Sequence, residues 1–182
     1  RFGGEELEGR SSQILRCAKV LGKAGQRLGG RDFDRWIANY LCPKETLSES
    51  LLNTAEKLKC RLSNEEHPRT ATLEEMFESS TGNKKHQLKL NRLDLEKLLV
   101  EHGLLKSLEN LLSETLKHAA ANNCTLKDLD SAVLVGGGAR IPLVRHWLQQ
   151  NCLPTKLLTP PPIEAVAKGA LKLTPGVKIH DV

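Results

Sequence analysis

What this chain is short of narrows it first. Aromatic residues make up 3% of its 182 residues, so any core has to be aliphatic, and leucine supplies most of it. Cysteine is present but poorly placed for chemistry. Cys17, Cys42, Cys60, Cys124 and Cys152 are an odd number at wide spacings with no C-x-x-C pair, which argues against both a disulfide framework and a zinc site. That usage fits a reducing compartment, and a cytoplasmic location is expected. No apolar run reaches the length of a membrane span, and no charged-then-apolar segment opens the chain. The first residue is Arg1 and not Met, so a piece of a longer polypeptide is expected.

Charge of one sign does not dominate either. Twenty-seven basic against twenty-two acidic residues leave a net +5, which favours anionic partners without choosing among them. The basic residues are dispersed, with Lys84-Lys85 the densest pair and no stripe of bases interleaved with aromatics, so neither nucleic acid nor membrane is expected as a partner. Six histidines (His67, His86, His102, His118, His146, His180) are scattered and read as surface or packing residues, with no metal ligand set among them. The length suffices to bury one domain, or one domain carrying a small lobe.

What is there is a set of glycine junctions. Ser131-Ala-Val-Leu-Val135 is a buried-strand pattern that empties into Gly136-Gly137-Gly138-Ala139-Arg140-Ile141-Pro142 and restarts as a helix. Glycines let backbone approach a ligand closely, and the first turn of a following helix offers unpaired N–H donors to an anion. The same run also occurs wherever a helix packs tightly on a sheet, and the run alone does not decide. It is not a dinucleotide fingerprint, because the sixth position after Gly136 is Ile141, and no P-loop pattern occurs.

Elsewhere, Ile14, Leu15, Cys17, Val20 and Leu21 alternate as a strand, with Gly22-Lys23-Ala24-Gly25 as turn material before Arg27 and Leu28, which together predict a hairpin after a polar loop at 1–12. Gly29-Gly30 then opens a helix running to Leu41, stopped by Pro43. Thr46-Leu-Ser-Glu49 has the form of a capping box ahead of a helix ending near Leu62. Thr70 to Leu73 and His86 to Leu90 read as short partner strands around a turn at Thr81-Gly82-Asn83. From Asn91, leucines at helical spacing predict one long helix to about Ala121, bent at Gly103. A helical turn at 125–129, a strand at Ala132 to Val135, a helix beyond Pro142, a strand at Lys156 to Leu158, a stiff corner at Pro160 to Pro162 and a last helix from Glu164 to Leu171 complete the reading.

The order of four pieces carries a resemblance. Leu28-Gly-Gly-Arg-Asp-Phe-Asp34, Ala55-Glu-Lys-Leu-Lys-Cys-Arg-Leu-Ser63, Val133-Leu-Val-Gly-Gly-Gly-Ala-Arg-Ile-Pro142 and Pro162-Ile-Glu-Ala-Val-Ala-Lys-Gly-Ala170 resemble the seventy-kilodalton heat-shock chaperones from about Ile14 to Thr174. The stretch looks like the second lobe of that family's actin-like ATPase domain. The resemblance implies an α/β fold, with a ribonuclease-H-like (actin-like ATPase) subdomain at 1–41 and 118–182 and an inserted α+β lid subdomain at 42–117. It implies ATP or ADP at the floor of a cleft shared with a preceding lobe, with magnesium held elsewhere in the full-length parent. Residues matching the adenosine clamp are Glu56, Lys59 and Ser63 on one helix, and Gly137, Gly138 and Arg140 match the loop facing them. A nucleotide-exchange factor or cochaperone is the implied protein partner.

Two departures accompany the match. Cys60 stands where some family members have an arginine that stacks on adenine, and Ile163 stands where an acidic residue often precedes the glutamate of the last motif. The family's two phosphate loops and catalytic lysine have no counterpart within these residues, so this chain is not expected to hydrolyse ATP alone. The competing reading is a degenerate actin-like module that binds proteins and no nucleotide.

Overall fold

The computed structural model describes residues 2–3, 17–18, 20–79, 85–152 and 156–159. The last helix expected at 164–171, with Gly169 and Ile163, the proline corner at 160–162, the turn at 81–83 and Ile14 and Leu15 all lie outside the described residues. The described part is mixed α/β: five helices and three two-stranded sheets.

Among the described residues the hairpin expected over residues 14–28 is not found, because residues 20–28 form no strand. Strand β2 (Cys17–Ala18) instead pairs antiparallel with β1 (Phe2–Gly3), in a segment expected to be loop. Residues beyond it are held by a helix and not by a strand. Asn122 Nδ2 donates to the Leu21 carbonyl at 3.0 Å and His118 Nδ1 lies 2.9 Å from the Lys23 carbonyl, so side chains from the end of α4 (Leu104–Ala120) and just after it take carbonyls a ladder would have used.

Helix α1 (Gly30–Leu41) follows the glycine pair as expected. Gly29 caps it, its N–H donating to Asp32 Oδ2 at 2.9 Å, and Cys42-Pro43 ends it. Its buried face of Phe33, Asp34, Ile37 and Ala38 meets α2 (Glu49–Leu62). The cap of α2 is Ser48, whose side chain accepts from Leu51 N at 3.2 Å, two residues after the Thr46 expected. Buried Leu51, Thr54, Ala55, Leu58, Lys59 and Leu62 recur at three- and four-residue steps, the spacing of one helix face.

Strands β3 (Leu73–Glu78) and β4 (Lys85–Leu90) form an antiparallel ribbon packed on α2. Period-two alternation sends Leu73, Phe77, Leu88 and Leu90 inward. The outer face pairs Glu74 with Lys89 at 2.8 Å and Glu78 with Lys85 at 3.0 Å. Thr70 to Thr72 precede β3 and are not strand.

The long helix expected from Asn91 is two. Asn91 does cap α3 (Arg92–Glu101), accepting from Asp94 N at 2.8 Å, but Gly103 at φ +79° turns the chain into the left-handed region and α4 restarts on its carbonyl. Only glycine takes that backbone cheaply, so the apolar stripe is split into two rods. One hydrophobic cluster runs through α1, α2, β3, β4 and α3 to Leu104, Ile141 and Val144.

Strand β5 (Ser131–Val133) pairs parallel with β6 (Lys156–Leu158), and ends before Val135 because the chain turns at Gly136, φ +88°. A 3₁₀ turn at Gly137–Arg140 leads to α5 (Pro142–Asn151), with Pro142 in its first turn and Val144 and Trp147 buried.

Candidate functional site

The end of α2 and the turn after β5 meet. Cys60, Ser63, Asn64, Glu65, Arg140 and Arg145 line an open cleft of about 480 Å³. Ser63 is placed by the helix end itself: it is the C-cap, and both its N–H (3.0 Å) and its hydroxyl (2.8 Å) bond the Lys59 carbonyl. Its oxygen lone pairs remain for a donor on a ligand. Arg140 is placed by the glycine turn, which reverses at Gly136 and brings it to line the same cleft as Cys60 and Ser63 at the end of α2. Among the described residues Arg140 has no ion-pair partner.

The loop after α2 is held from beneath. Arg92, buried at the start of α3, donates through Nε to the Leu62 carbonyl at 2.8 Å and through Nη2 to the Asn64 carbonyl and to the His67 carbonyl at 3.1 Å. Those carbonyls follow the last helical turn, where helix-internal donors have run out. Glu96, also buried, pairs with Arg69 at the far end of the same loop.

Lys59 is buried and committed. Its ammonium lies 2.7 Å from Oδ1 of buried Asp34 and donates to the Gly30 carbonyl at 3.2 Å. Burial pushes the Asp34 carboxyl above its usual 3.8, while the Lys59 hydrogen bond and charge pull it down, and the nearby Glu56 charge raises it. Glu56 is exposed on the same helix and is not among the residues lining the cleft. Gly138 lines a second hollow of about 260 Å³ together with Gly29, Gly30, Phe33 and Val144. Gly137 is exposed, and nothing stands within 4 Å of where a Cβ would sit on either Gly137 or Gly138.

Of the six residues expected at the site, Ser63 and Arg140 therefore share one cleft. Lys59 and Gly138 adjoin the Gly29-Gly30 turn, and Glu56 and Gly137 stand on the surface beside these pairs. Sequence reasoning missed Arg145, Asn64 and Glu65. No spacing rule marks Arg145, which lines the cleft with Arg140 only because the 3₁₀ turn at Gly137–Arg140 runs on through Ile141 and Pro142 into α5.

Donors, open glycine backbone and a cation surplus form an arrangement suited to a polar, anionic ligand. Among the described residues no group of three or more His, Cys, Asp or Glu side chains could hold a metal ion. No described helix is long and apolar enough to cross a membrane.

Comparison with known proteins bears on the same segments. The family model described as Hsp70 protein matches residues 18–177. The stromal 70 kDa heat shock-related protein, chloroplastic, of Pisum sativum is 30% identical over 178 residues, taking in 90% of this chain and 24% of that protein. The chain thus spans about a quarter of the length of the curated relative it matches. With four ordered motifs and a family match over most of its length, the chain belongs to the Hsp70 family.

Proposed function

We propose that this chain is the second lobe of the nucleotide-binding domain of a heat-shock chaperone and supplies the adenosine-facing half of an ATP/ADP cleft. The observation that carries the reading is the shared cleft of Ser63 and Arg140, contributed by two motifs 77 positions apart in sequence. In this reading residues 1–41 and 118–182 form a ribonuclease-H-like subdomain, and 42–117 form the inserted lid. Ser63 and Arg140 meet the nucleoside directly. Lys59 fixes the Gly30 carbonyl at the other end of the site, and Glu56 faces the ribose from the exposed side of α2.

The polar groups fit such a ligand: accepting lone pairs on Ser63, two guanidinium donors, and glycine backbone with no Cβ in the way. Bound ATP, with magnesium held by other parts of the polypeptide, would supply the phosphates and the bond to be cleaved, and ADP would be what remains in the cleft. This chain binds and orients; phosphoryl transfer needs positioned cations at the transferred group that the preceding lobe would provide. A nucleotide bridging two lobes favours the closed arrangement by its differential contacts, which a nucleotide-exchange partner acting on the lid would oppose.

Calorimetric titration with ADP tests the proposal. The 182-residue chain should bind very weakly, and a longer polypeptide including both phosphate loops should bind tightly. Equal affinities would overturn the two-lobe reading.

A further inference from the structure

We infer that the same cleft also takes guanine nucleotides, because its polar side chains match a guanine edge at least as well as an adenine edge; the inference rests on the nucleotide reading above. The side chain that reads adenine best is an amide, whose oxygen and NH2 together meet the 6-amino group and N7. Among the described residues lining the cleft the one amide is Asn64, and it is already engaged. Its Nδ2 donates to Glu66 Oε2 at 2.8 Å and its Oδ1 accepts from the Glu66 N–H at 3.2 Å, so both ends are held within the loop. Ser63 gives its hydroxyl hydrogen to the Lys59 carbonyl and keeps only accepting lone pairs.

Two guanidinium groups and a carboxylate remain. Glu65 Oε1 and Arg145 Nη1 lie 3.6 Å apart, too far for a hydrogen bond, and both side chains are partly open to water. Each is therefore available to a third group, and side by side they present donors next to acceptors. The pairing edge of guanine has the complementary order, with the O6 acceptor beside the N1–H and N2–H donors. A guanidinium can give to O6 while the two carboxylate oxygens take both N–H groups. Adenine turned over on the same pair offers N1 to accept and its amino group to donate, one bond fewer. Arg140 discriminates in the same sense: a guanidinium suits O6 and N7 of guanine, whereas the adenine 6-amino group sets a donor against its donors. A site strongly rejects an analogue only where the exchange leaves its own polar groups unpaired, and no group of this cleft loses a partner when guanine replaces adenine.

The test is calorimetric titration of the complete polypeptide with ADP and with GDP, unsubstituted, as Glu65→Gln and as Arg140→Gln, with thermal melts of each form. GDP should bind the unsubstituted polypeptide within about tenfold of ADP, or more tightly. Glu65→Gln removes one of the two accepting oxygens and should lower GDP affinity about tenfold more than ADP affinity. Arg140→Gln, which exchanges the guanidinium for an amide, gives the same comparison should Glu65→Gln fold poorly, and should also shift the ratio toward ADP. GDP binding weaker than ADP binding by more than about tenfold, or equal losses of the two nucleotides in a variant that melts with the parent, would overturn the inference and leave the adenosine reading in place. Absence of binding by both nucleotides would instead defeat the nucleotide reading, and this inference with it.

Discussion

The ammonium of Lys59 stands 2.7 Å from Oδ1 of Asp34, two nearly buried charges that join α2 to the inner face of α1. Lys59 also holds the Gly30 carbonyl, so a residue expected to reach for a nucleotide doubles as an internal strut. That pairing sets the first two predictions.

Replacing Lys59 with Met leaves the Asp34 carboxyl buried without its cation. Removing the Lys59 hydrogen bond and charge, which leaves only the weaker Arg31 charge to lower its pKa, raises it further above 3.8. For a carboxyl raised in the folded state, the stabilising contribution is complete below the unfolded value and is lost as pH rises through the folded value. Lys59→Met should therefore cost about 3–5 kcal/mol at neutral pH and progressively less on acidification. Urea unfolding at about pH 5 and about pH 8 measures this; equal losses at both would show that Asp34 does not titrate in the window.

Replacing both partners, Asp34→Leu with Lys59→Met, removes two desolvation costs together. Such exchanges are often neutral, or stabilising by about 1–4 kcal/mol, because the pair's attraction does little more than offset desolvation. Asp34's raised pKa points the same way. The double variant should fold at least as well as the parent, while the complete polypeptide carrying it loses about tenfold in ADP affinity as the Gly30 turn is released. Retained affinity would make Lys59 a framework residue only.

A third prediction concerns the segment that sequence pattern misassigns. A Cβ on Gly22 would sit 2.4 Å from the Thr115 carbonyl oxygen and 3.1 Å from Ala119 N, both backbone atoms of α4. Gly22→Ala should destabilise by about 1–3 kcal/mol through overpacking. Gly25, three residues on, has nothing within 4 Å, so Gly25→Ala should be neutral or stabilise by up to about 1 kcal/mol. Thermal melts of the two side by side test whether α4 truly clamps this stretch.

Where the chain's own periodicity sets the outcome, reading it was enough. Helices α1 and α2, strand β4 and the strand at Lys156 to Leu158 follow from spacing, caps and alternation within one segment, whereas the strand expected at Thr70 to Leu73 begins only at Leu73 and runs on to Glu78. Failures came where a distant group competes for the backbone. The alternation up to Leu21, with turn material at 22–25, reads as a hairpin, yet carbonyls of Leu21 and Lys23 go to Asn122 and His118, about a hundred positions later. Gly103 was visible as a weak point, but a bend and a full break differ only by its positive φ, which the letters do not carry. The site divides the same way. Motif order singles out Ser63 and Arg140, which line one cleft, whereas the presence of Arg145 there depends on how the glycine turn hands the chain to α5. Lys59 looked free because nothing in the sequence pairs it with Asp34, 25 positions earlier.

The last prediction links stability to the cleft through Arg92. Its guanidinium bonds three carbonyls, those of Leu62, Asn64 and His67, which hold the loop carrying Asn64 and Glu65 against α3. An ammonium at that position cannot span three acceptors in a plane, so Arg92→Lys is not conservative here. It should cost about 1.5–3 kcal/mol, the ordinary worth of hydrogen bonds to a charged group. Ser63 sits one residue from the anchored Leu62 carbonyl, so ADP binding by the complete polypeptide should weaken too, although Arg92 lies outside the cleft. Denaturant unfolding and ADP titration on the same variant separate the two effects. A stability loss with unchanged affinity would mean that α2 alone, and not the anchored loop, sets the position of Ser63.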